Sequence, residues 1–173
     1  LVMHKIAPAI ASGCSILIKP SPFTPLTAMK CVELFEADGL VQCVVANDEQ
    51  SALLTQSREI ATISFTGSDK IGWMIRKQAP EKPSTLELGG NAWVIVCDDV
   101  PISMYEKIAN KIAGAAFGYA GQSCISVQNV AIADGIWDNL RDNLIRATEN
   151  TPYGDPAADS TICGPVIHKG AAN

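Results

Sequence analysis

The chain has 173 residues, 47% of them hydrophobic, with a formal net charge of −5 and a pI of about 4.9. That length carries a sizeable core, and the apolar content excludes a disordered chain. The acidic balance, with lysines and arginines scattered rather than striped, excludes non-specific nucleic-acid binding, and no apolar run reaches the ~18 residues of a membrane span.

Val2 to Ala11 carries apolar residues at helical spacing, with Gly13 as a stop. Cys14 to Ile18 is a short apolar run ending at Lys19-Pro20, which predicts a buried strand followed by a turn. Thr24 can cap a helix with Pro25 at its first position, running to about Ala37 and ended by Asp38-Gly39. Val41 to Ala46 predicts a strand, Asp48 to Gln56 a short helix, and Ser57 to Glu59 a linker. Ala61 to Phe65 is a further strand running into Thr66-Gly67-Ser68, with a helix from about Asp69 to Gln78. After Pro83 comes a strand ending at Glu87, then a strand over Asn91 to Cys97. Ile102 to Tyr119 has helical spacing with Ala and Gly on one face for close packing. Ser126 to Ala133 predicts a strand, Ile136 to Thr148 an amphipathic helix, and the segment from Thr151 a loop. This alternation is the pattern of an α/β fold with a parallel sheet, and the Gly89-Gly90 pair marks the expected boundary between two α/β halves.

The six cysteines are Cys14, Cys31, Cys43, Cys97, Cys124 and Cys163. None forms a C-x-x-C pair, and His4 and His168 are the only histidines, so no metal site is expected. Cys14, Cys31, Cys43 and Cys97 stand in apolar contexts, where a buried free thiol is expected. Free thiols fit a cytoplasmic protein better than a secreted one, and no leading signal segment is visible. Leu1 is no initiator residue, and the chain opens on a helix already under way, so a piece of a longer protein is expected.

Four segments carry residue types suited to chemistry. Phe65-Thr66-Gly67-Ser68 ends a strand and opens a helix, whose free N–H groups and dipole can seat a phosphate, with Ser68 adding a hydroxyl. Read alone it is an ordinary helix cap, since such caps are common. Lys19, at the end of a parallel strand, stands where open α/β sheets bind ligands, or is simply a solvated lysine at a turn. Glu87, before Leu88-Gly89-Gly90, can serve as a general base or be a surface glutamate at a bend. Gly121-Gln122-Ser123-Cys124 places a cysteine between a glycine turn and a strand, where neighbouring N–H groups favour a thiolate and an oxyanion; the alternative is a buried structural thiol.

Taken in this order, Lys19-Pro20-Ser21, Phe65-Thr66-Gly67-Ser68, Glu87-Leu88-Gly89-Gly90 and Gly121-Gln122-Ser123-Cys124 resemble the aldehyde dehydrogenase superfamily, over essentially the whole chain. The resemblance implies that residues 1–86 belong to a Rossmann-like NAD(P)-binding domain and that residues 87–173 begin the catalytic domain. It implies that Lys19, with Ser21 and Pro22, contacts the adenosine ribose. Phe65, Gly67 and Ser68 would line the nucleotide site, Ser68 near the pyrophosphate. Ile71 would pack near the adenine, and Leu88 and Gly89 along the nicotinamide. Cys124 would attack the aldehyde, hydride would pass to the nicotinamide, and Glu87 would activate the water that releases a carboxylic acid. The family usually carries an acidic residue where Pro22 stands, so the cofactor is NAD or NADP. The segment Gly39 to Ala46 is shorter than usual and lacks the familiar glycine-rich turn. A CoA-acylating enzyme and a non-catalytic chain that keeps the fold are the alternatives. The resemblance further implies a small aldehyde substrate, a homo-oligomeric full-length protein, no nucleic-acid or membrane partner, and segments outside this chain needed for turnover.

Overall fold

The computed structural model describes residues 1–35 and 39–172. Its strands form parallel pairs: β1 (Ile16–Ile18) with β2 (Val41–Cys43), β3 (Ile63–Thr66) with β4 (Ser84–Glu87), and β5 (Ala92–Val96) with β6 (Val127–Ile132). Parallel strands cannot be joined by a tight turn; the chain must cross back, usually through a helix. Each pair has its crossover: α2 (Pro25–Glu33), α4 (Asp69–Gln78) and α5 (Tyr105–Phe117). The remaining helices are α1 (Met3–Ala11), α3 (Asp48–Gln56) and α6 (Trp137–Glu149). The expected α/β class with parallel strands is therefore what the chain adopts. It divides into two compact units, Leu1–Leu88 and Gly89–Asn173.

In the first unit, the apolar stripe of α1 delivers Ile6 to full burial, where it meets Ile18 of β1, Ala28 of α2 and Val41 of β2. Helix α2 opens at Thr24-Pro25 as expected, although the Thr24 side chain makes no capping hydrogen bond. As described it runs to Glu33; the expected end at Ala37 and the turn residue Asp38 lie outside the described residues. Helix α3 starts on a capping box that the sequence reading does not include: Asn47 Oδ1 accepts from the Gln50 N–H, and the Gln50 side chain accepts from the Asn47 N–H.

The other end of α3 is closed by a cation. Lys82 is buried, and its ammonium donates to the carbonyls of Thr55, at 2.7 Å, and Ser57, at 2.5 Å. A lysine suits this place because the last carbonyls of a helix have no intrahelical donor and carry the negative end of the dipole. Arg76 of α4 holds the same segment from the other side, donating to the Lys82 carbonyl at 2.9 Å and to Ser84 Oγ at 3.2 Å.

In the second unit, Val96, Tyr105, Ile112, Ile136 and Leu140 form the core. A smaller cluster of Ala109, Ala113 and Ala147 lets α5 and α6 approach closely. The expected glycine contribution to that face is corrected: Gly114 has open space where a side chain would stand, and the cluster is made by alanines with Phe117 and Leu144 packed against them. The single helix expected over Ile102 to Tyr119 is α5, preceded by a short 3-10 turn at Ile102–Met104 and followed by a left-handed turn at Gly118–Gly121. The last segment is loop, apart from a bridge between Tyr153 and Cys163 and a short turn at Lys169–Ala171.

The expected burial of four cysteines is also corrected. Cys14 and Cys97 are exposed, and Cys31 and Cys43 are half-buried. The strands are shorter than their apolar runs. Cys14 lies between the turn at Ser12-Gly13 and the start of β1. On β5 side chains alternate, so the inward Val96 leaves Cys97 facing out.

Replacing Lys82→Met keeps most of the stem but leaves the Thr55 and Ser57 carbonyls without their charged donor. We expect the first unit to lose about 2 kcal/mol of stability, the usual scale for hydrogen bonds to a charged group. Urea unfolding with an unchanged midpoint would refute the role given to this lysine.

Candidate active site

The register of β3 and β4 brings two of the sequence motifs together. Phe65 pairs with Leu86 and Thr66 with Glu87, and the Gly67 N–H donates to the Glu87 carbonyl at 3.1 Å. The two segments therefore leave the sheet side by side, with the Glu87 side chain exposed at the strand end. Two glycines make room there. A Cβ on Gly67 would lie 2.6 Å from Phe65 Cζ, and one on Gly72 would fall inside the envelope of Leu88 Cδ2. Gly72 is the buried residue of α4. Glycine inside a helix costs about 1 kcal/mol relative to alanine, and here it lets α4 lie against Leu88.

Lys5, on α1, reaches into this corner. Its ammonium donates to Ser64 Oγ at 3.0 Å and to Thr66 Oγ1 at 3.1 Å. Burial pushes it below the ordinary lysine range, and the Glu87 charge partly offsets this. A cation thus stands beside the candidate base. It is not legible in the sequence, because nothing in the α1 pattern says which strand its lysine reaches.

The donors for a nucleotide are less concentrated. Lys19 follows β1 directly and is exposed, with its ammonium donating to the Pro20 carbonyl at 3.0 Å; its other protons are available. Ser21 and Pro22 are exposed in the turn that follows, where Ser21 Oγ accepts from the Phe23 N–H at 3.3 Å. Ser68 is the N-cap residue of α4, yet its hydroxyl makes no capping bond, so it and the first-turn N–H groups stay free for an anion. The N–H of Gly67 is not among them, being held by Glu87. Asp69 adds a negative charge in that first turn. Ile71 is 38% exposed on the same helix. An ammonium, a free hydroxyl, open N–H groups and a backbone bared at glycine are a donor set that fits a dinucleotide.

Cys124 belongs to the second unit. The Ser126 N–H donates to the Ser123 carbonyl at 3.0 Å, closing a turn with Cys124 at its first central position and its side chain exposed. No acceptor among the described residues takes the Cys124 N–H. The turn is anchored by Ser126, which is 2% exposed and donates its hydroxyl to the Ala116 carbonyl at 2.9 Å. Immediately before it the backbone is left-handed at consecutive residues: Tyr119 (φ 55°, ψ 31°), Ala120 (φ 56°, ψ 36°) and Gly121 (φ 71°). Only the glycine adopts this freely; each of the others costs about 1 kcal/mol.

The partner strand reaches the same turn. Ala92 pairs with Val127, so the residues entering β5 run beside those entering β6. Asn129 donates its side-chain amide to Asn91 Oδ1. A Cβ on Gly90 would stand 3.0 Å from the Cys124 carbonyl oxygen. The second glycine of the Glu-Leu-Gly-Gly motif therefore packs against the peptide of the cysteine, a role its spacing alone does not reveal.

The whole chain, residues 1–173, matches the model of the aldehyde dehydrogenase family. The chain belongs to that family. It is 37% identical over 172 residues to the 3-sulfolactaldehyde dehydrogenase of Priestia aryabhattai, covering 96% of this chain and 35% of that protein. It is 36% identical over 179 residues to the mitochondrial succinate-semialdehyde dehydrogenase of Arabidopsis thaliana, covering 99% of this chain and 33% of that protein. Among solved structures, the aldehyde dehydrogenase of Mycobacterium tuberculosis complexed with NAD+ superposes with a TM-score of 0.87 at 30% identity, covering 96% of this chain and 35% of that one. This aldehyde dehydrogenase chain thus spans about a third of the length of the relatives it matches. Among the described residues, no helix is long and apolar enough to cross a membrane, and no group of at least three His, Cys, Asp or Glu is placed to hold a metal.

Burial pushes the Cys43 thiol up, which lowers its thiolate fraction at any given pH. In the folded protein, iodoacetamide at neutral pH is therefore expected to label the exposed Cys14, Cys97 and Cys124 before Cys43. Peptide-resolved mass spectrometry checks the order, and labelling of Cys43 as fast as Cys14 would contradict it. Gly90→Ala sets a methyl against a backbone oxygen that cannot swing aside, so the Cys124 peptide must shift by a few tenths of an ångström. Iodoacetamide labelling of Cys124 is expected to change while that of Cys14 and Cys97 stays as in the parent, and unchanged Cys124 labelling would contradict this contact. Gly118→Ala, at φ −54° with nothing within 4 Å of the new methyl, is the matched control and should leave Cys124 labelling unchanged.

Proposed function

We propose that this chain carries the nucleophile, the general base and part of the cofactor site of an NAD(P)-dependent aldehyde dehydrogenase that makes a carboxylic acid. The activity belongs to the protein that also supplies the remaining length found in its relatives. Residues 1–86 serve as part of the NAD(P)-binding domain and residues 87–173 as the start of the catalytic domain. The observation that carries the reading is the pairing of Thr66 with Glu87, which sets the nucleotide-side motif beside the candidate base.

Cys124, exposed at its turn, attacks the aldehyde carbonyl as thiolate and forms a thiohemiacetal. Its uncommitted N–H donates to the developing oxyanion. The nicotinamide, when bound, supplies the hydride acceptor. Lys19, with Ser21 and Pro22, holds the adenosine ribose. Ser68 and the open first turn of α4 hold the pyrophosphate, and Phe65, Gly67 and Ile71 line the nucleotide. Leu88, backed by Gly72, and Gly89 lie along the nicotinamide. Glu87 takes a proton from the water that cleaves the thioester, with Lys5 holding positive charge beside it. Pro22 puts no carboxylate against a ribose 2′-phosphate, so the cofactor is NAD or NADP. The full-length protein is a homo-oligomer, and its substrate a small aldehyde.

A CoA-acylating enzyme is the second reading; the presence of Glu87, the residue that water needs, favours hydrolysis. Cys124→Ala is expected to lower kcat by about 10⁴-fold or more. Glu87→Gln should keep an initial burst of NAD(P)H and slow the steady state about 10²-fold. Unchanged turnover in Cys124→Ala would overturn the nucleophile, and strict dependence on CoA would move the protein to the second reading.

A further inference from the structure

We infer that Gln122 is a positioning residue for Cys124, acting as a two-ended clamp between the left-handed run and a segment far along the chain. Its side-chain nitrogen donates to the Tyr119 carbonyl at 2.9 Å, the same carbonyl that accepts its own backbone N–H at 3.1 Å. Its side-chain oxygen accepts the N–H of Ile167, 45 residues on, at 2.8 Å. The chemistry assigns the amide unambiguously: a carbonyl needs a donor and an N–H needs an acceptor, and glutamine presents one of each at this length. Glutamate lacks the donor at neutral pH and lysine lacks the acceptor.

The position explains why such a clamp is needed. Tyr119 and Ala120 hold an αL backbone without glycine's freedom, and such geometry persists only where surrounding bonds over-determine it. The doubly used Tyr119 carbonyl is the first residue of that run, and Cys124 follows Gln122 by two residues. On the far side of the cysteine, Ser126 is fixed to Ala116. The nucleophile therefore sits between two anchors, and Gln122 ties the earlier one to Ile167. Any displacement of the 167 segment is transmitted to the turn that aims the thiolate.

The inference rests on Cys124 as nucleophile, and its test separates the two. In the full-length enzyme, Gln122→Met removes both side-chain bonds at similar volume, and Gln122→Glu keeps the acceptor for Ile167. Hydrogen exchange reads the clamp directly: Ile167 is expected to lose amide protection in Gln122→Met and to retain it in Gln122→Glu. The kcat should fall about tenfold in Gln122→Met with KM for NAD unchanged, and labelling of Cys14 and Cys97 should stay as in the parent. Unchanged Ile167 protection in Gln122→Met, or lost protection with unchanged kcat, would overturn the inference. So would a rise in KM for NAD together with faster labelling of Cys43, which would mark a general loss of structure. Turnover surviving in Cys124→Ala would defeat the nucleophile reading alone, because Ile167 exchange reports the clamp whether or not the enzyme turns over.

Discussion

Parallel strand pairing is the constraint on which the rest of this chain depends. Two strands that run the same way finish at the same edge, so residues a full crossover apart in sequence become neighbours without any contact of their own. Thr66 and Glu87 meet in this way, across the whole of α4. The Gly67–Glu87 backbone bond then extends the pairing one step past the strand, where side chains are free to do chemistry. Gly72 belongs to the same design: the crossover helix must lie close to the strand it returns to, and a missing side chain permits that approach.

The second unit uses the opposite edge of the same geometry. The entries of β5 and β6 stand together there, so Gly90 reaches the Cys124 peptide. Strain is concentrated on this side, in the left-handed residues before the cysteine, while the core of Val96, Tyr105, Ile112, Ile136 and Leu140 is ordinary apolar packing. A strained turn needs anchors that do not move, and buried Ser126 is one of them.

Much of the fold was legible in the sequence because it is written in local signals. The bounds of α3 and α4 coincide with their polar and apolar pattern, and the motifs stand at strand ends where their glycines and apolar runs place them. What was not legible depends on where elements go after they form. Lys5 gains its meaning when its ammonium reaches Ser64 and Thr66 on β3, and Lys82 when it meets the end of α3 from 25 residues away. The cysteines misled because an apolar run longer than its strand looks buried throughout, whereas alternation turns Cys97 outward. Gly72 did leave a trace, since a glycine inside a helix is unfavourable unless something presses on it. Gln122 stood in a noted motif, but its role required knowing that residue 167 returns to it.

Between Ala92 and Trp93 the pairing partner jumps from Val127 to Asn129, so Gln128 is a bulged residue with no opposite number. Side chains on a strand alternate with period two, and one extra residue inverts the phase of everything on its far side. The bulge therefore works as a phase shifter. It lets β6 keep Val130 and Ile132 toward the helices while the turn ahead of Val127 keeps its own orientation. The core strand and the Cys124 turn are thereby decoupled, with a single residue absorbing the mismatch between them.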